Sequence, residues 1–159
     1  MSQAGTSPEG RLAALGIVLP EPPAPAAVYV PVVRSGDLLF VAGQVPFVEG
    51  RLQATGKLGG ALDLDAGTAC ARQCAVNVLA QVRAELGSLD HVARVVKLTV
   101  FVASDPSFTE QHLVANGASE LFGEVFGDIG RHARSAVGVP VLPMDAPVEV
   151  EAVLETGRA

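Results

Sequence analysis

Two charged residues near the C-terminus lie in apolar, β-branched surroundings where a structural strand would not need them. Arg134 belongs to segment 131–139 and Glu149 to segment 147–153. A guanidinium is a rigid fork that matches a carboxylate with two parallel hydrogen bonds. A glutamate in apolar company can act as a proton-handling group. If the two segments are neighbouring strands, they predict a small anion site with a general base beside it.

The same residues also have a purely structural interpretation. Val148 and Val150 alternate with Glu149 and Glu151, which places the valines on one face of a strand and the carboxylates on the other. Charges on a half-exposed strand are usually solvated, and an arginine beside a glutamate is usually an ion pair of modest strength. The pattern alone leaves both interpretations open.

The elements that position these residues begin with a short helix and a hairpin. Ser7 as cap and Pro8 in the first turn predict a helix that ends near Leu15, and a proline-rich extended arm follows at 20–25. Residues 30–45 then predict a β-hairpin. Gly43 within its second strand marks a bulge or a place where a backbone or a ligand comes close.

Two long helices and three more strands complete the prediction. A helix is expected at 65–86, with Asp63 or Asp65 as its cap and Gly87 as its stop. A strong strand follows at 91–102, and a second helix is predicted from Asp105 to Phe126. The fold class is therefore α+β, a mixed sheet with two main helices on one face. Because the other face is rich in valine, we expect another subunit to cover it.

Composition limits the possible functions. The chain has 159 residues, 49% of them hydrophobic, and a formal net charge of −6, with its 11 basic residues scattered. These values predict one domain, and they argue against nucleic-acid binding because such binding depends on phosphate neutralisation. No stretch approaches 18 consecutive apolar residues and the start lacks signal-peptide features, so we expect a cytoplasmic protein without a membrane span.

Cysteines and histidines do not predict a metal site. Cys70 and Cys74 are four residues apart on a predicted helix, where a disulfide has poor geometry, so buried reduced thiols are expected. His91, His112 and His132 lack a ligand spacing. We therefore expect neither metal nor cofactor.

Four segments in combination resemble the Rid family, the YjgF-type reactive-intermediate deaminases that are also called the L-PSP endoribonuclease family. The segments are 39–46 (LFVAGQVP), 96–102 (VKLTVFV), 133–137 (ARSAV) and 148–152 (VEVEA). The resemblance covers about residues 29–154. It implies a chorismate-mutase-like fold, assembly as a homotrimer, and ligand pockets in the clefts between subunits.

The resemblance also implies roles for single residues. Arg134 would bind a substrate carboxylate, and Glu149 would position or activate the attacking water. The positions that match the family's substrate-binding residues are Tyr29, Gly43, Asn116, Arg134 and Ala136. His132, two residues before Arg134, is a further candidate for the pocket wall, with a surface or interface position as the alternative.

Some positions depart from the family's pattern. The deaminase branch has serine where this chain has Ala42, cysteine where it has Ala136, and an aromatic residue where it has Ser119. We predict an N-terminal extension at 1–27, a single Rid-like domain at 28–155 and a tail at 156–159. These features indicate a divergent branch.

The expected function is hydrolysis of reactive 2-imino acids to 2-oxo acids and ammonia, with a small carboxylate-bearing metabolite as the partner. The first alternative is a non-catalytic trimer that binds small carboxylates. The least favoured is an endoribonuclease, because the chain is acidic and has no basic stripe.

Overall fold

A five-stranded mixed sheet carries two long helices on one face. In this computed structural model, which describes residues 6–22 and 28–157, the strand order is β1-β2-β7-β5-β6, and β5 and β6 are parallel while the other pairs are antiparallel. The helices are α1 (Pro8–Ala14), α2 (Leu64–Leu86) and α3 (Gln111–Phe126). The strands are β1 (Val32–Ser35), β2 (Leu38–Gln44), β3 (Phe47–Val48), β4 (Arg51–Leu52), β5 (Val92–Ala103), β6 (Ala133–Val139) and β7 (Val148–Thr156). The predicted α+β class is confirmed.

The predicted capping of α1 and α2 is confirmed. Ser7 Oγ accepts the Gly10 N–H at 3.1 Å, and Asp63 Oδ1 accepts the Ala66 N–H at 2.9 Å. Gly87 ends α2 in the left-handed region at φ 80°, which a glycine adopts without steric cost. Along α2, both Cys70 and Cys74 are buried in the core, as expected.

Helix α3 begins at Gln111, six residues after the predicted start at Asp105. The Asp105 carboxylate accepts both the backbone N–H and the hydroxyl of Ser107, at 3.0 and 2.7 Å, and so closes a turn instead of capping the helix. Gly117 lies where α3 crosses α2. A Cβ there would collide with the Thr68 carbonyl oxygen, so the glycine permits the close helix contact.

The N-terminal helix packs on the same core as the rest of the chain. Leu12 and Leu19 are 2% and 5% exposed and belong to the main hydrophobic cluster. Glu9 Oε1 accepts the Leu89 N–H at 2.9 Å, which ties α1 to the start of β5. The boundary at residue 28 stays a prediction, and residues 23–25 of the predicted arm lie outside the described part.

Strand β7 lies in the middle of the sheet, and β5 separates it from β6. The expectation that the Arg134 and Glu149 segments are neighbouring strands is therefore wrong. The connection at 140–147 carries the chain past β5 before β7 pairs antiparallel with it. Strand β7 runs to Thr156, whose N–H donates to the Asp37 carbonyl at 2.7 Å. The tail boundary at residue 156 stays a prediction.

The face opposite the helices is uncovered in the single chain and carries exposed apolar side chains. Val33, Phe40 and Val137 are 50%, 45% and 42% exposed on it. An exposed apolar surface of this kind marks a contact site. Its burial by another subunit remains a prediction. No helix in the described ranges combines the length and apolar character that crossing a membrane would require.

Candidate functional site

Arg134 lies on the edge strand β6 and points towards α3. It pairs with the buried Leu98 of β5, so its side chain leaves the sheet on the helix side. Its Nη1 donates to Asn116 Oδ1 at 2.9 Å and to Ser119 Oγ at 3.1 Å, and its Nη2 donates to the His112 carbonyl at 3.1 Å. All three acceptors belong to α3, where Asn116 and Ser119 share a face because they are three residues apart. The predicted candidates Arg134 and Asn116 are therefore in direct contact.

The guanidinium keeps unused hydrogen-bond capacity. It has five N–H donors, of which the α3 acceptors take two on Nη1 and one on Nη2. Among the described residues, no acceptor takes the Nε–H or the second Nη2–H, and Arg134 is partly exposed. Nε and Nη2 together can bind one carboxylate through two hydrogen bonds. Helix α3 thus holds a cation whose remaining donors suit a small carboxylate.

His132 is connected to this cation through Ser119. Its Nε2 lies 2.9 Å from Ser119 Oγ, and its Nδ1 lies 2.6 Å from the Gly130 carbonyl oxygen. The ring also meets Phe122 edge-on, with 6.2 Å between centroids. His132 therefore contacts Ser119, which is one of the residues that bind the Arg134 guanidinium.

Glu149 lies on the opposite, open face of the sheet and passes over Gly43. A Cβ at Gly43 would collide with Glu149 Oε1, so the absent side chain leaves the space that the carboxylate occupies. Gly43 is in a bulge of β2, where the register against β7 shifts between Val41 and Gln44. Sequence reasoning expected a backbone or a ligand to approach Gly43. The structure shows a carboxylate there.

The Glu149 carboxylate is half-buried and has no hydrogen-bond partner within the described residues. Burial raises its pKa above the ordinary glutamate value, and the negative charge of Glu151, two residues along the same face, raises it further. A carboxylate that is poorly solvated and without a partner is a stronger proton acceptor than an exposed one.

Arg134 and Glu149 of one chain are far apart. Glu149 pairs with Phe101, and Phe101 pairs with Val137, so the two residues are separated by two strand spacings and by three residues along the strands. These offsets place their Cα atoms about 14 Å apart. Because the two side chains also leave opposite faces of the sheet, one chain does not bring them to the same small ligand.

The other candidates divide between these two places. Ala136 lies beside Arg134 on the helix side of β6 and packs against the core. Tyr29 is 61% exposed and precedes Val30, which lines an open groove of about 300 Å³ together with Ala42 and Glu151. The residues that group with Arg134 are Asn116 and Ala136. Gly43 and Glu149 lie on the open side, and Tyr29 precedes the groove residue Val30.

Sequence reasoning missed two parts of the Arg134 environment. Ser119 was noted only as a departure from a family pattern, yet it contacts both Arg134 and His132. The His112 carbonyl carries no signal in the sequence, because any residue type supplies a backbone oxygen. The spacing of Asn116 and Ser119 on one predicted helix face was the available clue.

Comparison with known families identifies the chain. The family model described as "YjgF/chorismate mutase-like, putative endoribonuclease" matches residues 9–155. The chain belongs to the YjgF/RidA-like family. Among curated relatives, Protein TCP17 of Trypanosoma cruzi is 55% identical, with 92% of this chain and 94% of the relative covered. RutC family protein PH0854 of Pyrococcus horikoshii is 31% identical, with 82% and 89% covered.

Solved structures of this YjgF/RidA-like family share the fold. The protein Atu1372 with unknown function, from Agrobacterium tumefaciens, has 48% identity and a TM-score of 0.87 over 96% of this chain and 94% of that chain. A "putative endoribonuclease" from Shewanella oneidensis has 33% identity and a TM-score of 0.90 over 94% and 99%. TdcF of E. coli with bound serine has 26% identity and a TM-score of 0.61 over 86% and 94%. The lower similarity to TdcF agrees with a divergent branch.

Proposed function

We propose that this protein hydrolyses small 2-imino acids to 2-oxo acids and ammonia, as a homotrimer with its sites between subunits. The observation that carries the proposal is the guanidinium of Arg134, which three α3 acceptors hold while donors on Nε and Nη2 remain unused. A fixed cation with two remaining donors suits the carboxylate that every 2-imino acid carries.

The proposed reaction needs a base as well as an anion site. With Arg134 holding the carboxylate, Glu149 takes a proton from water while the water oxygen bonds to the imine carbon. The C=N π electrons move to the nitrogen, which takes the proton back from Glu149 and gives a carbinolamine. Glu149 then moves the carbinol hydroxyl proton to the amine nitrogen, so that the C–N bond breaks, ammonia leaves and the carbonyl of the 2-oxo acid forms. The raised pKa of Glu149 makes the carboxylate a better base. The backbone amides of Gly43 and Ala136 and the side chains of Tyr29 and Asn116 complete the proposed binding site.

The proposed site requires two chains. Arg134 and Glu149 of one chain leave opposite faces of the sheet about 14 Å apart, so both reach one substrate only where two subunits meet. The apolar open face, where Phe40 and Val137 are 45% and 42% exposed, supports such an assembly. The fold similarity to TdcF with bound serine supports a ligand of that size, since serine is a small amino acid with one carboxylate.

The test is the decay of freshly generated 2-iminobutanoate, followed optically with wild type and Arg134→Ala side by side. We expect acceleration by wild type and its loss in the variant, with the oligomer unchanged in sedimentation. Wild type that leaves the decay rate at the buffer value would contradict the proposal.

The second candidate is a non-catalytic trimer that binds small carboxylates. The observation in its favour is that Ala42 and Ala136 offer no polar side chain, so Glu149 has little help in activating water. Binding of 2-oxobutanoate in calorimetry, together with an unaccelerated imine decay, would favour this candidate. Ribonuclease activity is the least favoured, because the chain carries a net charge of −6.

A further inference from the structure

The Arg134 guanidinium is one end of a hydrogen-bonded chain that ends at a backbone carbonyl. His132 Nδ1 lies 2.6 Å from the Gly130 oxygen, and a carbonyl oxygen only accepts, so Nδ1 carries the proton. In the neutral ring Nε2 is then an acceptor. It takes the hydroxyl proton of Ser119 at 2.9 Å, which leaves the lone pairs of Ser119 Oγ for Arg134 Nη1 at 3.1 Å.

We propose that Ser119 and His132 are positioning residues that fix the orientation of Arg134 for substrate carboxylate, an inference that rests on the proposed function. His132 sets the direction of the Ser119 hydroxyl. Ser119 Oγ and Asn116 Oδ1 then take both Nη1 protons. The guanidinium cannot turn without losing at least one of these bonds, so its remaining donors stay in place.

Packing holds the histidine ring in the orientation that this arrangement needs. Phe122 of α3 meets the ring edge-on at 6.2 Å between centroids, with 64° between the planes. Gly130 is buried, and a Cβ there would lie 2.5 Å from the Phe122 carbonyl oxygen, so the backbone before His132 packs tightly on α3. This packing of Gly130 on α3 fixes both the Gly130 carbonyl, which accepts the Nδ1–H, and the Phe122 ring, against which the imidazole packs.

Removal of the Nε2 acceptor leaves the Ser119 hydroxyl proton without the partner that fixes its direction. The hydroxyl can then rotate, and only the guanidinium itself still orients its lone pairs. Ser119 remains an acceptor of Nη1–H, but it is no longer held in place and positions Arg134 less firmly. The positioning role therefore depends on a nitrogen at the Nε2 position and not on the shape of the ring.

Two matched pairs of variants separate hydrogen bonding from packing. His132→Phe keeps the ring and its contact with Phe122 but removes both nitrogens, whereas His132→Gln loses the ring and keeps an acceptor near Nε2. Ser119→Ala removes the hydroxyl, and Ser119→Thr retains it. We expect His132→Phe and Ser119→Ala to raise KM for 2-iminobutanoate about tenfold with little change in kcat, because binding is lost equally in ground and transition states.

The conservative variants His132→Gln and Ser119→Thr should stay within about threefold of wild-type KM, by the same hydrogen-bond reasoning. Thermal unfolding of all variants checks that the fold is intact. The opposite order, with His132→Phe equal to wild type and His132→Gln impaired, would show that the ring only packs and would overturn the proposal.

A nuclear magnetic resonance measurement tests the hydrogen-bonded chain without any ligand. The ¹⁵N shifts of the His132 ring in the full-length protein should show a protonated Nδ1 and a lone pair on Nε2, and a protonated Nε2 with a bare Nδ1 would overturn the inference. If wild type neither accelerates imine decay nor binds 2-oxobutanoate, the proposed function fails, and the ring nitrogen shifts still decide whether the chain to Arg134 exists.

Discussion

The two charged groups of the candidate site are held in contrasting ways. The Arg134 guanidinium is bound by acceptors from α3 and is supported from behind by His132. The Glu149 carboxylate lies over Gly43 with no hydrogen-bond partner in the described residues, and burial raises its pKa. A binding group gains from being fixed, whereas a base gains from being poorly solvated. The contrast fits the proposed roles, in which the first group binds and the second does the proton chemistry.

Of all these changes, removal of the Glu149 charge should have the largest effect on catalysis. Glu149→Gln keeps the size of the side chain but cannot accept a proton, so kcat should fall about 100-fold or more while KM changes little. Steady-state kinetics with 2-iminobutanoate measure this. Glu151→Gln, which removes the neighbouring carboxylate on the same face, is the matched control, and a comparable loss there would remove the special role of Glu149.

Replacement of the planar guanidinium of Arg134 by a single ammonium group should separate substrate binding from catalysis. Arg134→Lys retains the positive charge but loses the paired donors on Nε and Nη2, so KM should rise about tenfold with kcat nearly unchanged. Binding of 2-oxobutanoate in calorimetry should weaken to the same degree. An equal fall in kcat with unchanged KM would mean that Arg134 acts on the reacting bond instead.

The space above Gly43 can be filled without removing either charge. Gly43→Ala forces the Glu149 carboxylate to move, and we expect kcat to fall about tenfold, since small displacements of a catalytic group are costly. Ala42→Gly, one residue earlier in the bulge, adds no atoms and serves as the control. The affinity for 2-oxobutanoate should persist in Gly43→Ala, and its disappearance would contradict the separation of the two groups.

The smallest expected effect concerns stability and pH. Because folding raises the pKa of Glu149, the fold favours the neutral acid, and this contribution to stability is lost as pH rises through the folded pKa. Glu149→Gln should therefore raise Tm at pH 7 by about 1–3 °C, a small shift because the group is only half-buried. The gain should shrink towards pH 4 in thermal scans. A gain in Tm that grows towards low pH would contradict a raised pKa of Glu149 in the folded protein.

Local signals in the sequence predicted most of the fold. Ser7, Asp63 and Gly87 are capping residues whose hydrogen bonds lie within a few positions along the chain, so their roles can be predicted without tertiary information. The predicted start of α3 was wrong because an aspartate suits a turn as well as a helix cap. Only the hydrogen bonds of Asp105 to Ser107 decide between the turn and the cap.

The site was harder to predict than the fold. Motifs pointed to Arg134, Asn116 and Glu149, and the first two are in contact. The separation of Arg134 from Glu149 was not predictable, because strand order is a long-range property and β5 enters between β6 and β7. Alternation along β7 did place Glu149 opposite the buried valines, but it gave no information about the face that Arg134 uses.

The central claim is that Arg134 of one chain and Glu149 of another form one active site. Arg134→Ala and Glu149→Gln chains, each inactive alone, can be unfolded together, refolded and assayed for 2-iminobutanoate hydrolysis, with native mass spectrometry to show mixed oligomers. Random mixing should restore about one quarter of wild-type activity, since half of the chains supply each intact residue. Mixed oligomers that are as inactive as the parent variants would contradict the claim.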